Sequence, residues 1–215
     1  MVLKIRGFAK SLRKAGIRRA DTVLLAGRAD PQSYLCLKLL YEIEKNFPDT
    51  KIYVYELISR NERPCLRELS GDLGLNYEKV HLARNSYTDY KMALLKIASK
   101  YRDPLFVVPF TADDLAEYLI SELLLGKLEG LIPDLSFRTA YPLLSISAKE
   151  IRLMSCPCRQ RRYTHIAGIG IHEFKPAKAL YEALIKELSK GKLQEKYKKE
   201  LSKHYIAATS GGTPR

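Results

Sequence analysis

The chain has 215 residues, 46% of them apolar, and a formal net charge of +13. This length and composition suit one domain with a small appendage and exclude a disordered chain. They also exclude a helical membrane span, because no stretch reaches the roughly 18 apolar residues one requires.

In chain order, Lys4 to Ala15 reads as a short basic amphipathic helix with no apolar signal-peptide core. Asp21 introduces Thr22-Val23-Leu24-Leu25-Ala26, an apolar run that fits a buried parallel strand. Gly27 to Pro31 is a break, and Gln32 to Asn46 has helical periodicity through Leu35, Leu39, Leu40 and Ile43. After a Pro48-Asp49 turn, Lys51 to Leu57 is a second strand, and Pro64 to Leu73 is a helix closed by Gly74. Tyr77 to Leu82 is a third strand. Thr88 to Lys100 is a helix with Met92, Leu95 and Ile97 facing inward, and Leu105 to Val108 is a fourth strand. Thr111 caps a helix running to Leu125, whose first turn holds Asp113 and Asp114, where acids suit the helix dipole. Ser136 to Tyr141 is a further strand, and Ser147 to Met154 is a short helix with Glu150 at the capping-box position. Two Lys-rich helices, Pro176 to Leu188 and Leu193 to His204, follow a basic loop at Cys156 to Arg162.

Strands that alternate with helices imply a three-layer, Rossmann-like α/β fold: a parallel sheet with helices on both faces, here with a basic helical C-terminal extension. The organisation expected is a basic helix over residues 1–20, an α/β domain over 21–155 and the extension over 156–215. Ligands of such sheets bind beyond the carboxyl ends of the strands, at the topological switch point. The loops to inspect are therefore Gly27 to Pro31 and Pro109 to Asp114.

These two loops carry a resemblance. Ala26-Gly27-Arg28-Ala29-Asp30-Pro31 lies where PP-loop ATP pyrophosphatases have Ser-Gly-Gly-Lys-Asp-Ser, and Gly27 and Asp30 match. Val107 to Leu125 resembles the family's Gly-His-Asn-x-Asp-Asp-x-Ala-Glu-Thr stretch, with Asp113, Asp114, Ala116 and Glu117 on pattern and Pro109-Phe110 in place of Gly-His. Gly126 to Pro133, Tyr141-Pro142-Leu143-Leu144 and Ala148-Lys149-Glu150-Ile151 are similar to segments of the branch that thiolates tRNA. The resemblance covers about Asp21 to Ser155. It implies a HUP-type fold and a nucleotide site at Ala26, Gly27, Arg28, Asp30, Asp113, Asp114 and Glu117, taking ATP with Mg²⁺. Active members adenylate a nucleobase carbonyl oxygen, release pyrophosphate, and let a sulfur or nitrogen nucleophile displace AMP.

The phosphate loop departs from that pattern. Backbone N–H groups, a helix N-terminus and a Lys make the cradle, and each group aimed at developing charge contributes roughly 2.7–4 kcal/mol. Arg28 stands for a glycine and disfavours positive φ, Ala29 removes the Lys, and Pro31 removes an N–H. Asp30 is open to two readings, an orienter of Mg²⁺ or a helix cap. Asp113 and Asp114 are open between nucleotide contacts and helix-end stabilisers.

Thiolating members place a Cys-x-x-Cys before the fourth strand and a later cysteine, holding an iron–sulfur cluster or a persulfide. Ala83 to Met92 has no cysteine, so the cluster set is incomplete. Cys156 and Cys158 fall where the late cysteine is expected and are the candidates for sulfur chemistry beside Asp30. Cys65 is a possible third member, and Cys36 reads as core. Arg159, Arg161, Arg162 and Tyr163, with Lys196 and Lys199 further on, pair cations with an aromatic and are the expected RNA contacts. The four histidines lack zinc-motif spacing, and no metal ligands are assigned.

These readings lead to the expectation of a cytoplasmic relative of tRNA thiolation enzymes. It would bind tRNA, an active paralogue or a second copy of itself, with adenylation reduced or lost. An active enzyme with an unusual phosphate loop and a nucleotide-binding regulatory module are the alternatives. Abundant Lys, Arg and Glu with scarce Asn, Gln and Trp give the composition common in thermophile proteins.

Overall fold

The computed structural model describes residues 2–47, 49–59, 62–83, 87–116, 118, 137–146, 150–151 and 158. Among the described residues, five strands form one parallel sheet: β1 (Thr22–Gly27), β2 (Lys51–Ile58), β3 (Asn76–His81), β4 (Leu105–Val107) and β5 (Arg138–Ala140), in the order β3-β2-β1-β4-β5. The helices are α1 (Val2–Lys14), α2 (Pro31–Glu44), α3 (Leu66–Asp72) and α4 (Tyr87–Ala98), and residues 112–116 are also helical.

Strand residues alternate between two cores because successive side chains point to opposite faces. Val23, Leu25, Val54 and Val107 pack with Phe8 and Leu12 of α1 and with α2 and α3. Leu24, Ala26, Leu57 and Phe106 pack with α4 and with Ala112, Leu115 and Ala116. The sheet is thus buried on both sides, which explains why its central strands read as continuous apolar runs. The sequence-predicted three-layer α/β fold is the observed one.

Chain order reverses between β1 and β4. The connection after β1 leaves toward one face and the connection after β4 toward the other, so their ends diverge into a crevice. α3 ends as read: Gly74 has φ +65° and the amide of Leu75 donates to the carbonyl of Ser70 at 2.9 Å, a turn a side chain would strain.

One expectation is corrected. Met92 does not face inward but is 44% exposed, while its neighbour Lys91 is completely buried. The phase of α4 is set by Tyr90, Ala93, Leu94 and Ile97, which reach the core. Arg28, standing for a glycine, is expected to disfavour positive φ. Among the described residues the only non-glycine residue with positive φ is Asp103, so the loop follows a path that Arg28 adopts without strain. The two Lys-rich helices, Gly126 to Pro133 and most of Ser147 to Met154 lie outside the described residues.

Candidate functional site at the carboxyl edge of the sheet

Asp30 leaves β1 in extended conformation, at φ −139° and ψ 162°, and is the N-cap of α2, with Pro31 in the first turn. Its Oδ1 accepts the amide of Ser33 at 2.8 Å. The hydroxyl of Ser33 in turn accepts the amide of Arg28 at 2.7 Å, and the amide of Asp30 donates to the carbonyl of Arg28 at 2.8 Å. The loop therefore closes on itself. The N–H groups of Arg28, Asp30 and Ser33 are all engaged internally, and Pro31 has none. Gly27 lies in close approach to its neighbours: a Cβ there would lie 2.5 Å from Cδ1 of Leu66 and 3.1 Å from Cβ of Ser33.

Across the crevice, Thr111 and Asp114 form a reciprocal cap. The carboxylate of Asp114 accepts the Thr111 amide at 2.8 Å and the Thr111 hydroxyl at 2.7 Å. The Asp114 amide donates back to the Thr111 hydroxyl at 3.2 Å. Asp30 and Asp114 are both buried. Burial pushes the Asp114 carboxyl up to about 7 against the bonds from Thr111, and Asp30 and Asp113 raise it further. Burial likewise raises Asp30, against the Ser33 amide and the Arg28 charge, with Glu62 adding to the rise. The switch point thus brings together two carboxyls read separately from the sequence.

Cys65 stands at the start of α3 and is joined to Cys158 in a disulfide, with Cα atoms 5.5 Å apart and 93 residues between them in sequence. The carboxylate of Glu56, completely buried at the end of β2, accepts the amides of Cys65 and Leu66 and, at 2.7 Å, the hydroxyl of Tyr77. Glu56 so fixes the backbone that carries Cys65, next to the Leu66 side chain that covers Gly27. Sequence reading missed Glu56, because a charged residue in a strand suggests a solvent-facing position.

It also missed Lys91. Its ammonium donates to the Tyr141 hydroxyl at 2.6 Å and lies 5.3 Å and 5.2 Å from the ring centroids of Tyr118 and Tyr141. The neighbouring Tyr90 hydroxyl donates to the carbonyl of Ala26 at the end of β1.

Of the sequence-predicted site residues, Ala26, Gly27, Arg28, Asp30 and Asp114 are buried around the switch point and Asp113 is half-buried. Cys158 reaches Cys65. Glu117, Cys156, Arg159, Arg161, Arg162, Tyr163, Lys196 and Lys199 lie outside the described residues. Cys36 is buried in the core. Burial and the Asp30 carboxylate push its thiol up, so it stays protonated and is a poor metal ligand. With Cys65 and Cys158 bonded to each other, the described donor set does not fit an iron–sulfur cluster, and no group of three or more metal-binding side chains occurs among the described residues.

No protein-family model matches the sequence, and no curated protein matches it. Among solved structures, the chain is similar to the U34-tRNA thiolase NcsA from Methanococcus maripaludis with its 4Fe-4S cluster. The TM-score is 0.63 at 14% identity, covering 89% of this chain and 78% of that one. It shows a weaker likeness to an NH3-dependent NAD synthetase from Campylobacter jejuni subsp. jejuni bound to nitrate, with TM-score 0.42, 18% identity and 69% and 68% covered. The likeness to the thiolase shows a shared fold, a Rossmann-like parallel sheet with helices on both faces.

Proposed function

We propose that this chain is a divergent PP-loop ATP pyrophosphatase-like protein of tRNA thiolation, which binds tRNA or assists an active paralogue and has reduced or lost adenylation. The observation that carries this reading is the self-closed loop. Asp30 places its own carboxylate at the start of α2, where the family's loop receives a phosphate, and the amides of Arg28 and Ser33 are spent on partners within the loop. Arg28 is buried rather than presented to solvent, so it is not a direct replacement for the lost Lys. Both Asp30 and Asp114 cap helices and are biased toward protonation, which disfavours them as Mg²⁺ ligands.

Isothermal titration with ATP and Mg²⁺, for the wild type and Asp30→Ala, tests this. The wild type should give no heat at millimolar ATP. Tight wild-type binding that Asp30→Ala abolishes would overturn the reading.

One observation favours a second reading, an active ATP-dependent sulfur-transfer enzyme. The Cys65–Cys158 disulfide lies beside the switch point, held by Glu56. In that reading ATP adenylates a tRNA base carbonyl, pyrophosphate leaves, and a persulfide sulfur on one cysteine displaces AMP. The second cysteine then attacks the inner sulfur, the S–S bond to the base breaks, the thiolated base leaves as the disulfide closes, and a dithiol reductant and a persulfide donor reset the pair. tRNA-dependent AMP release, lost in Cys65→Ser, would put this reading first.

A further inference from the structure

The basic helix at the N-terminus has no part in the site above, yet it is built on a strict division of faces. Phe8 and Leu12 are buried against the sheet, whereas Arg6, Lys10, Arg13 and Lys14 are exposed along the opposite face, and α1 contains no acidic residue. Gly7 sits near Ser145, just beyond the carboxyl end of β5, and Gly16 accepts a bond from Arg138 at the start of β5. The helix therefore runs antiparallel to β5. Its exposed cations, from Arg6 to Lys14, form a stripe of about 12 Å that runs from near the carboxyl edge toward the amino edge of the sheet.

At the amino edge the stripe ends in a pocket of about 180 Å³ between the ends of α1 and α2. Its walls are apolar, from Leu12, Ile17, Ile43 and Phe47, and Phe47 is 40% exposed. Arg13, Arg18 and Arg19 stand at its mouth, and Glu44, almost completely buried, supplies the one carboxylate among its lining residues. An open aromatic in a hole with a cationic rim suits a flat ring joined to phosphate. The carboxylate below repels a phosphate from the interior and accepts a bond from an exocyclic base amino group. The phosphates then remain on the arginines outside.

We propose that the exposed face of α1 and this pocket form a binding surface for single-stranded RNA, with the backbone along Arg6, Lys10 and Arg13 and one unstacked base inserted against Phe47. The inference deepens the tRNA reading above and rests on it. It adds a contact surface to the expected C-terminal one and joins it to the carboxyl edge of the sheet. A lipid surface is a poorer occupant, because the apolar face of α1 that would enter a bilayer is already buried in the core. The pocket also admits one ring system and is too small for a partner helix.

The test uses the full chain, a fluorescent short single-stranded RNA and a tRNA transcript, with anisotropy read across a salt series. Reversing Arg6, Lys10 and Arg13 to Glu should weaken binding more than tenfold and reduce the salt slope by roughly 2. Phe47→Ala should weaken single-strand binding about tenfold and leave the salt slope unchanged. Photocrosslinking of 4-thiouridine RNA to the wild type should map to residues 43–47, a readout that does not depend on any variant. If the wild type binds RNA and the triple variant binds equally well, this surface is overturned and the tRNA reading survives. If the wild type binds no RNA, both fall. If anionic vesicles bind as strongly as RNA and no crosslink maps to the pocket, the base site is overturned.

Discussion

The two edges of the sheet are built on opposite electrostatic plans. At the amino edge, Arg138 grips Asp21 with two parallel bonds, of 2.9 Å and 3.0 Å, and also reaches the carbonyls of Asp103 and Gly16. Burial pushes the Asp21 carboxyl up, but the Arg138 bonds and charge and the Arg18 amide outweigh it and hold Asp21 below its ordinary value. At the carboxyl edge, Asp30 and Asp114 are buried near each other and both are raised. One edge ties the start of β1, the start of β5, the end of α1 and the turn before β4 into a stable base. The other buries two carboxyls, capped but biased toward their neutral form, at the switch point, the place where such folds put their chemistry. The difference teaches that the carboxyl edge keeps its two buried carboxyls at a cost in stability.

The largest effect should come from breaking the stable edge. Arg138→Ala leaves Asp21 without its fork, and chemical denaturation should show a loss of about 3 kcal/mol. Arg138→Lys should recover little of it, since a point charge cannot make the planar two-bond grip. At the other edge, Glu56→Ala strips the amides of Cys65 and Leu66 and the Tyr77 hydroxyl of their acceptor, for an expected loss of about 2 kcal/mol. Glu56→Gln should lose less.

The pH response sharpens the contrast. Asp114, raised to about 7 in the folded chain, binds a proton between roughly pH 4 and 7 that the unfolded chain does not. Its contribution to stability is complete below the unfolded value and is lost as pH rises through 7. Asp114→Asn should therefore gain on the wild type as pH rises from 5 to 8 in thermal melts, and Asp30, raised in the same sense, should leave a residual slope. Asp21 works in the opposite direction: its contribution is lost only as pH falls below about 4. A wild-type stability profile flat from pH 5 to 8 would break the comparison. The smallest effect should be that of Gly27→Ala, about 1 kcal/mol, because the end of the Leu66 side chain must move aside.

The sheet and its helices were legible because each central strand is a continuous apolar run and each break carries Gly, Pro or Asp. The cap at Thr111 was legible for the same local reason. What failed was the assignment of single residues by type. Lys91 and Met92 invert the usual rule, because the ammonium of Lys91 finds Tyr141 and Tyr118, residues 50 and 27 positions away, and α4 turns that side inward. Glu56 is buried by partners 9, 10 and 21 residues on, and Cys65 meets Cys158 across 93. Periodicity registers none of these distant contacts. Asp30 was half legible: the residue and its two roles could be named, but only the position of the Ser33 amide identifies the cap.

That cap has a consequence for any anion approaching α2. The Asp30 carboxylate is a covalently tethered occupant, present at the helix start at an effective concentration that a free metabolite does not match. A phosphate must displace it as a competitor displaces a bound inhibitor, and it must bring enough affinity of its own to do so. Removing the tether by Asp30→Ala should expose the vacated helix start to inorganic phosphate, with weak binding appearing in the variant where the wild type shows none.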